Sequence, residues 1–309
     1  TKNIDMKNLK TILLIIISIL IFECENSYSQ VIQDWVKNYS STQLNNQIPY
    51  DAVTDTLGNI YITGSTSRGY SSIDMVTIKY NSSGVYLWGK TFNASVTDYS
   101  NETGRSIALY RTGDSTFIYS VGLNTTANNV IIIKYNQNGK QIWQKTYSSS
   151  PSGYTNTTPK VIADASGNCI VSGGNGQAPY VIKYNSAGTL LFNSVPANPS
   201  GYTYSKWNDA VTDGAGNIYN TGDCDSSSAK YYYTSKYNSA GVLQWSKIFR
   251  GSSLYQSKAN KIAVGASGVY VTGRSMNISS AEDMVTIKYN KSTGSQSWKA
   301  VYNGTANLN

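Results

Sequence analysis

Short stretches in which apolar and polar residues alternate recur along most of the chain. The octet DMVTIKYN at Asp74–Asn81 is one example, and the neighbouring stretches IYITGST and VYLWGKTF have the same character. Alternation with a period of two predicts a β-strand that buries one face. β-branched and aromatic residues dominate these stretches, as they do in pleated strands, and no convincing helical period accompanies them. The sequence therefore predicts an all-β protein.

The same stretches return at regular intervals. The octet DMVTIKYN occurs a second time at Asp283–Asn290, and the tripeptide Lys-Tyr-Asn occurs in five places. Each copy of the tripeptide precedes a short turn and then a large aromatic residue. The lysines are Lys79, Lys134, Lys183, Lys236 and Lys288, and the aromatic residues are Trp88, Trp143, Phe192, Trp245 and Trp298. This spacing indicates a repeat of about 52 residues that is present five times.

The first repeat contains four predicted strands. A strand at Asp51–Thr54 and a turn at Asp55–Asn59 precede the strand that begins at Ile60, and a turn at Ser82–Gly84 separates the last two strands. Four antiparallel strands in each unit of about 50 residues are typical of a β-propeller blade. We therefore predict a β-propeller domain over residues 30–309, with full units at about 50–92, 104–147, 158–195, 208–249 and 259–302.

The recurring aromatic residues are expected to form the core between units. A four-stranded sheet of this size has two faces and cannot bury both unless other sheets stack against it. A tryptophan that is buried in this way removes about 150–250 Å² from water. We therefore expect Trp88, Trp143, Phe192, Trp245 and Trp298 to be packing residues and not ligand platforms.

A lone strand is predicted ahead of the first unit. The segment Val31–Ser41 resembles the fourth strand of a unit, and its Trp35 would be a sixth member of the aromatic series. The last unit already has its own fourth strand at Ser295–Tyr302. We therefore expect this outer strand at 31–41 to belong to a sixth blade or a later one, and the sequence to be a fragment of a longer reading frame.

The first 29 residues have the features of a secretory signal peptide. Lys7 and Lys10 precede the apolar run Thr11–Phe22, whose 12 residues are too few to span a bilayer core of about 30 Å. Small residues then lead to a predicted cleavage site between Ser29 and Gln30. We expect a secreted or cell-surface protein that meets the membrane only through this transient signal, and an uncleaved anchor is the alternative.

Cysteine and charge add two negative expectations. Cys169 opens a strand of its unit whereas Cys224 lies past the end of the equivalent strand, so the two fall near opposite sheet ends and no disulfide is expected. The formal net charge is +8, but five of the lysines occupy one fixed position in the repeat. Because this arrangement distributes them around the molecule, no nucleic-acid partner is expected.

The repeated pattern GNIYITG…DMVTIKYNSSGVYLW resembles the SBBP-type β-propeller repeat of secreted bacterial proteins. The resemblance covers the chain from about Val31 onward. It implies an exported or surface protein, often one with several domains. The family has no shared catalytic residues that could be assigned to positions of this chain, so the resemblance concerns fold and not activity.

Candidate binding residues lie in the loops that vary between units. The tight turns, such as DTLGN, DASGN and NSAG, are nearly identical and indicate scaffold, whereas the loops on the opposite face differ in length and content. Binding residues are common on variable loops that a rigid frame supports. The aromatic residues of these loops suit a glycan or a protein ligand. They are Tyr70, Tyr99, Tyr154, Tyr202, Tyr204, Trp207 and Tyr255.

Enzymatic function has weaker support in the sequence. The chain contains no histidine, which excludes Ser-His-Asp triads and histidine zinc sites, and it contains no P-loop. We expect a protein that is not an enzyme and assign no cofactor and no metal. The first alternative is a glycosidase or lyase that uses Asp51 and Asp209 at the mouth of the channel, because paired carboxylates can hydrolyse glycosides. The second alternative is a structural spacer.

Overall fold

The computed structural model describes residues 34–39, 46–68, 72–94, 100–148, 159–226, 229–251, 256–276 and 282–303. The predicted signal peptide and its cleavage site lie outside these ranges. The ranges contain strands and turns but no helix, which confirms the all-β prediction. The twenty strands are β1 Gln47–Thr54, β2 Ile60–Arg68, β3 Ser72–Tyr80, β4 Tyr86–Phe92, β5 Glu102–Thr112, β6 Ser115–Asn124, β7 Asn129–Asn136, β8 Gln141–Tyr147, β9 Lys160–Ala163, β10 Cys169–Gly174, β11 Pro179–Tyr184, β12 Leu190–Ser194, β13 Tyr204–Thr212, β14 Ile218–Asp225, β15 Lys230–Tyr237, β16 Leu243–Phe249, β17 Ser257–Gly265, β18 Gly268–Met276, β19 Glu282–Tyr289 and β20 Gln296–Tyr302.

The strands form five four-stranded sheets, each built from consecutive strands in chain order. Sheet 1 contains β1–β4, sheet 2 contains β5–β8, and sheets 3, 4 and 5 contain β9–β12, β13–β16 and β17–β20. Every pairing within a sheet is antiparallel. The predicted four-stranded repeat is therefore confirmed.

The turn between the third and fourth strands explains the recurring motif Asn-x-x-Gly. In sheet 1 the side chain of Asn81 accepts hydrogen bonds from the backbone N–H groups of Ser83 at 3.0 Å and Val85 at 2.8 Å. Gly84 closes the turn with a φ of 73°, a conformation that side chains other than glycine disfavour. The same side-chain contacts recur at Asn136, Asn185 and Asn238.

Consecutive sheets pack face to face, and the hydrophobic core lies between them. Met75 and Tyr61 of sheet 1 share a buried cluster with Ile107 and Ile118 of sheet 2. Comparable clusters join sheets 2 and 3, sheets 3 and 4, and sheets 4 and 5. Because each sheet has two apolar faces, this stacking is what makes burial of both faces possible.

A repeated polar contact connects each sheet to the next. Lys79 Nζ and Trp88 Nε1 of sheet 1 both donate to the backbone carbonyl oxygen of Gln137, at 3.2 and 3.0 Å, in the third turn of sheet 2. The corresponding lysine and tryptophan of sheet 2 donate to the Ser186 carbonyl, and those of sheet 4 donate to the Lys291 carbonyl. In sheet 3, where Phe192 has no N–H, only Lys183 donates to the next turn, through Ser239.

The aromatic series is buried at four of its five positions. Trp143 and Trp245 are buried, and Trp88 and Phe192 are partly buried against the adjoining sheet, as predicted. The prediction is wrong for Trp298, which is 42% exposed. Its strand β20 belongs to the last sheet, and no sheet among the described residues packs on the face to which Trp298 points.

The two copies of the octet predict two different mutational effects. Met75 is 1% exposed against sheet 2, whereas the equivalent Met284 is 55% exposed. We expect Met75→Ala to lower the free energy of unfolding by about 2–5 kcal/mol, because it opens a cavity in the core. Met284→Ala should change it by less than about 0.5 kcal/mol. Urea unfolding of both variants measures the difference, and equal effects would show that both methionines are equally buried in solution.

The structure also describes part of the predicted outer strand and both cysteines of the predicted propeller domain. Of the outer strand predicted at 31–41, the described residues Asp34–Tyr39 contain no strand. The predicted outer strand is therefore not confirmed. Cys169 and Cys224, for which no disulfide was expected, are free cysteines, and both are buried. In the part of the chain covered by the ranges above, no helix is long and apolar enough to cross a membrane.

Candidate binding surface

The loop end of sheet 4 brings aromatic and charged side chains together. β13 begins where β14 ends and β15 begins, so Tyr204 pairs with Asp225, and Asp225 pairs with Lys230. Tyr202 precedes this corner in a turn that its backbone N–H closes onto the Pro199 carbonyl at 3.0 Å. We call this region the sheet 4 surface. Its members are Tyr202, Tyr204, Lys206, Asp223, Asp225, Lys230, Tyr231 and Arg250.

Charged side chains of both signs lie beside the aromatic rings of the sheet 4 surface. Lys230 forms an ion pair with Asp225 and lies 5.9 Å from the centre of the Tyr204 ring. Lys206 Nζ lies 3.8 Å from an oxygen of Asp223. Each of the two ion pairs is neutral, so Arg250 is the one charged side chain of this surface without an ion-pair partner among the described residues.

Two polar atoms of the sheet 4 surface are buried and have no hydrogen-bond partner among the described residues. They are the hydroxyl of Tyr202 and Oδ1 of Asp225. Most buried polar atoms in proteins are hydrogen-bonded, so each exception requires a specific explanation. Burial, with help from Asp223 and Asp225, raises the pKa of Tyr204 above its ordinary value. Its hydroxyl therefore remains a donor at neutral pH.

The tyrosine rings of this surface are held by packing. Tyr202 meets the Tyr231 ring edge-on at 5.8 Å between centres, and Arg250 lies 5.7 Å from the centre of the same ring. Tyr202 and Tyr204 are each partly exposed. Rings that are held in place but accessible on one side can stack on a ligand with little loss of conformational entropy.

The structure places only some of the predicted aromatic residues on a surface. Tyr202 and Tyr204 lie together as described. Trp207 does not, because it lies within β13, is 1% exposed and stacks on Tyr233 at 4.6 Å between ring centres. The prediction that Trp207 is an exposed binding residue is therefore wrong. The remaining candidates, Tyr70, Tyr99, Tyr154 and Tyr255, lie outside the described residues.

Asp51, one of the two predicted channel-mouth carboxylates, joins three of the innermost strands. Its Oδ2 accepts hydrogen bonds from the hydroxyl of Ser106 at 2.9 Å and from the backbone N–H of Ile107 at 3.0 Å. Lys160 of sheet 3 approaches the same oxygen at 3.4 Å. An exposed strand edge leaves backbone donors unpaired, and Asp51 satisfies one of them.

Asp209 has the same role between sheets 4 and 5. Its Oδ2 accepts a hydrogen bond from the backbone N–H of Ile262 at 3.1 Å, and Lys261 lies 3.8 Å from its other oxygen. No contact among the described residues joins Asp209 to Asp51. Both carboxylates therefore hold neighbouring sheets together.

Several residues of the sheet 4 surface were not candidates in the sequence. Lys206, Asp225, Lys230 and Arg250 are ordinary charged residues, and only their register brings them together. The available signal is the departure of unit four from the repeat, since Asp223-Cys224-Asp225 occupies positions that are Ser65–Ser67 in unit one.

A cleft that the sequence did not indicate lies on the tight-turn face between sheets 1 and 2. This cleft of about 210 Å³ is lined by Asp55, Tyr61, Lys79, Arg111 and Asp114, among others. Burial would raise the pKa of Asp55, but hydrogen bonds from Asn59, Leu57 and Tyr61 outweigh it and lower that pKa below its ordinary value. Because Asp55 and Lys79 already have partners, we assign the cleft no ligand.

Comparison with known proteins supports the fold. No protein-family model and no curated protein matches this sequence, so the resemblance to the SBBP-type repeat stays a prediction. Among solved structures, similar folds include a protein of unknown function from Dyadobacter fermentans (TM-score 0.48, 8% identity, 83% of this chain and 82% of that one). Sqt1 from Chaetomium thermophilum has a TM-score of 0.50 and 9% identity over 82% of this chain and 61% of that one. The periplasmic gluconolactonase PpgL of Pseudomonas aeruginosa has a TM-score of 0.50 and 11% identity over 82% of this chain and 72% of that one.

At these identities the similarity shows the fold alone, which is that of a β-propeller. One of these structures, the gluconolactonase, is an enzyme. The expectation that this chain is not an enzyme is therefore wrong, because a protein with the same fold is an enzyme. A lack of histidine excludes particular catalytic groups and not enzymes in general.

Proposed function

We propose that this chain is a secreted or cell-surface β-propeller that binds carbohydrate at the sheet 4 surface. The observation that supports the proposal is a pair of buried polar atoms, without a hydrogen-bond partner in the described part of the chain, beside partly exposed tyrosine rings. Export is part of the proposal and rests on the apolar run Thr11–Phe22 with its flanking lysines and small residues.

Carbohydrate fits the chemistry of this surface better than a charged ligand does. A sugar ring has apolar C–H faces that stack on aromatic rings and hydroxyl groups that both donate and accept hydrogen bonds. Because both atoms are buried in the free protein, the turn that carries Tyr202 would have to shift on binding. Asp225 Oδ1 would then accept from one sugar hydroxyl, and the Tyr202 hydroxyl would exchange a hydrogen bond with another. The ion pairs of Asp225 with Lys230 and of Asp223 with Lys206 compensate four of the five charged side chains of this surface, and the fifth, Arg250, lies against the Tyr231 ring.

The proposal predicts a loss of affinity in two variants. Tyr204→Ala removes a stacking ring, and Tyr202→Phe removes the unpartnered hydroxyl while keeping its ring. Each should weaken binding about tenfold, which corresponds to about 1.4 kcal/mol. Affinity gel electrophoresis in a panel of neutral polysaccharides identifies a ligand, and isothermal titration with its oligosaccharides measures the affinity.

The control for this experiment is Tyr302→Ala, which removes an exposed tyrosine ring on sheet 5. It should bind as the parent chain does. Tyr202→Phe should not lower the unfolding midpoint, because it removes a buried hydroxyl without a partner among the described residues. If no polysaccharide retards the protein, or if both sheet 4 variants bind as tightly as the control, the proposal is refuted.

A further inference from the structure

The repeated octet provides an internal comparison of one surface in two situations. In sheet 1, Met75, Thr77 and Lys79 face sheet 2 and are buried. In sheet 5, the equivalent Met284 is exposed, and Thr286 and Lys288 are partly exposed. Since the side chains are identical, the difference comes only from whether another sheet lies on that face.

The exposed face of sheet 5 has the same side-chain arrangement as the covered faces. Trp298 lies 6.1 Å from the Tyr270 ring at an angle of 55°, and the equivalent pair Trp245 and Tyr219 has 6.2 Å and 55°. Lys288 lies over the Tyr270 ring at 5.6 Å, as Lys236 lies over Tyr219 at 5.5 Å. The face is therefore preorganised as an interface although no described residue covers it.

Pairs of threonine hydroxyls show the same correspondence between sheets 4 and 5. Thr272 and Thr286 share a hydrogen bond of 3.1 Å on sheet 5, and Thr221 and Thr234 share one of 3.1 Å on sheet 4. A shallow groove of about 350 Å³ beside them is lined by Thr272, Arg274, Glu282 and Met284, among others. On sheet 5 these side chains are therefore open to solvent, whereas the equivalent side chains of sheets 1 to 4 contact the following sheet.

The covered faces define what an occupant of the open face must provide. On every covered face, the following sheet provides a backbone carbonyl that accepts a hydrogen bond from the repeat lysine. Where the aromatic residue is tryptophan, the same carbonyl also accepts from the indole N–H. The turn that provides this carbonyl also contains a glycine, which lies against the aromatic ring. A Cβ on Gly139 would lie 2.8 Å from the ring of Trp88, and one on Gly294 would lie 2.6 Å from that of Trp245.

We propose that the open face of sheet 5 binds a further four-stranded sheet of this same repeat, through an Asn-x-x-Gly turn seated on Lys288 and Trp298. A second copy of the chain does not offer such a turn. Four of its turns already hold the aromatic residue of the preceding sheet. The fifth, at Asn81–Gly84, belongs to sheet 1, whose Val76, Ile78 and Tyr80 are already buried.

The proposal is tested with a chain that carries one additional sheet. Because the faces of sheets 1 and 5 share the octet, sheet 2 is the matched partner, and a second copy of residues 93–148 is fused after Tyr302. The probe is the alkylation rate of the thiol introduced by Met284→Cys, in a Cys24→Ser background in which Cys169 and Cys224 are buried. Fusion should slow this rate by at least ~100-fold, towards that of Met75→Cys in the parent chain.

The control is the same fusion with Gly139→Leu in the added copy only. Its side chain would overlap the Trp298 ring, so the thiol should again react nearly as fast as in the parent chain. If the first fusion does not fold, a fusion that carries a second copy of sheet 3 replaces it, since sheet 3 packs on the equivalent Lys134 and Trp143.

Two outcomes would overturn the proposal. One is an alkylation rate that neither folded fusion changes, which would mean that the face does not accept a sheet of this repeat. The other is protection of the Met284→Cys thiol in the unfused chain that increases with protein concentration. That result, together with a dimer in sedimentation velocity, would show that a second copy is the occupant.

Discussion

Replacing Gly222 with alanine is expected to prevent stable folding of sheet 4. Gly222 lies in β14 opposite Trp207 of β13, where the extra residue Asn208 forms a β-bulge. A Cβ at Gly222 would overlap the carbonyl oxygen of Lys206 and would lie 2.9 Å from the Cα of Trp207. Both neighbours are backbone atoms of a paired strand, so neither can rotate away.

Accommodating the methyl group would require β13 and β14 to separate. Separation would weaken their hydrogen-bond ladder and displace Trp207 from its stack on Tyr233. Overpacking in a core typically costs about 1–3 kcal/mol, and a clash with backbone belongs above that range. We therefore expect a loss of more than about 3 kcal/mol in the free energy of unfolding, or no soluble protein at all.

Gly214 provides the matched control in the same sheet. A Cβ there would meet no heavy atom within 4 Å, so Gly214→Ala should leave the urea midpoint nearly unchanged. Circular dichroism during urea unfolding measures both variants. A Gly222→Ala protein that unfolds at the parent midpoint would show that the close approach of β13 and β14 is absent in solution.

The repeat made most of the fold predictable. Strand alternation and the turn residues are local features, and five copies of each remove the ambiguity of a single one. Gly222 is visible in the same way, because glycines at positions 64, 122 and 273 end the same motif. The sequence does not show why glycine is required at this position, because the cause is the close approach of the Lys206 carbonyl across the bulge.

Errors occurred where tertiary contacts decide the outcome. Trp207 is preceded by loop residues and looks like one of them, but the ladder with Gly222 continues through it and places its ring in the core. Trp298 follows the same octet as Trp88, yet its exposure depends on the neighbouring sheet. The sheet 4 surface depends on pairs such as Asp225 and Lys230, which have no sequence motif.

Replacing Lys183 with methionine is expected to have the second largest effect on stability. Lys183 Nζ forms an ion pair with Asp164 at 2.9 Å, and the two side chains are 4% and 5% exposed. Removing one member of a buried pair leaves the other charge uncompensated and typically costs about 3–5 kcal/mol. Lys183 also donates to the Ser239 carbonyl, where Phe192 provides no N–H to replace it.

The effect should depend on pH in a defined direction. Burial would raise the pKa of Asp164, but hydrogen bonds from Lys183 and Asn168 outweigh it and hold that pKa below its ordinary value. A carboxyl group with a lowered folded-state pKa stabilises the protein above its unfolded pKa of about 3.9, and this stabilisation disappears as pH falls through the folded value. The stability difference between the parent and Lys183→Met should therefore be full at pH 7 and shrink below about pH 4.

Lys134→Met separates this ion pair from the general effect of losing a repeat lysine. Lys134 is also buried, and it donates to the Ser186 carbonyl, which retains its hydrogen bond from Trp143 after the substitution. Burial lowers the pKa of Lys134, so its charge is already disfavoured there. Its replacement should cost no more than about 1 kcal/mol and should show no stability change near pH 4. Equal losses in the two variants, measured by urea unfolding between pH 3 and pH 7, would mean that the lysine position and not the pair with Asp164 determines the stability of the junction.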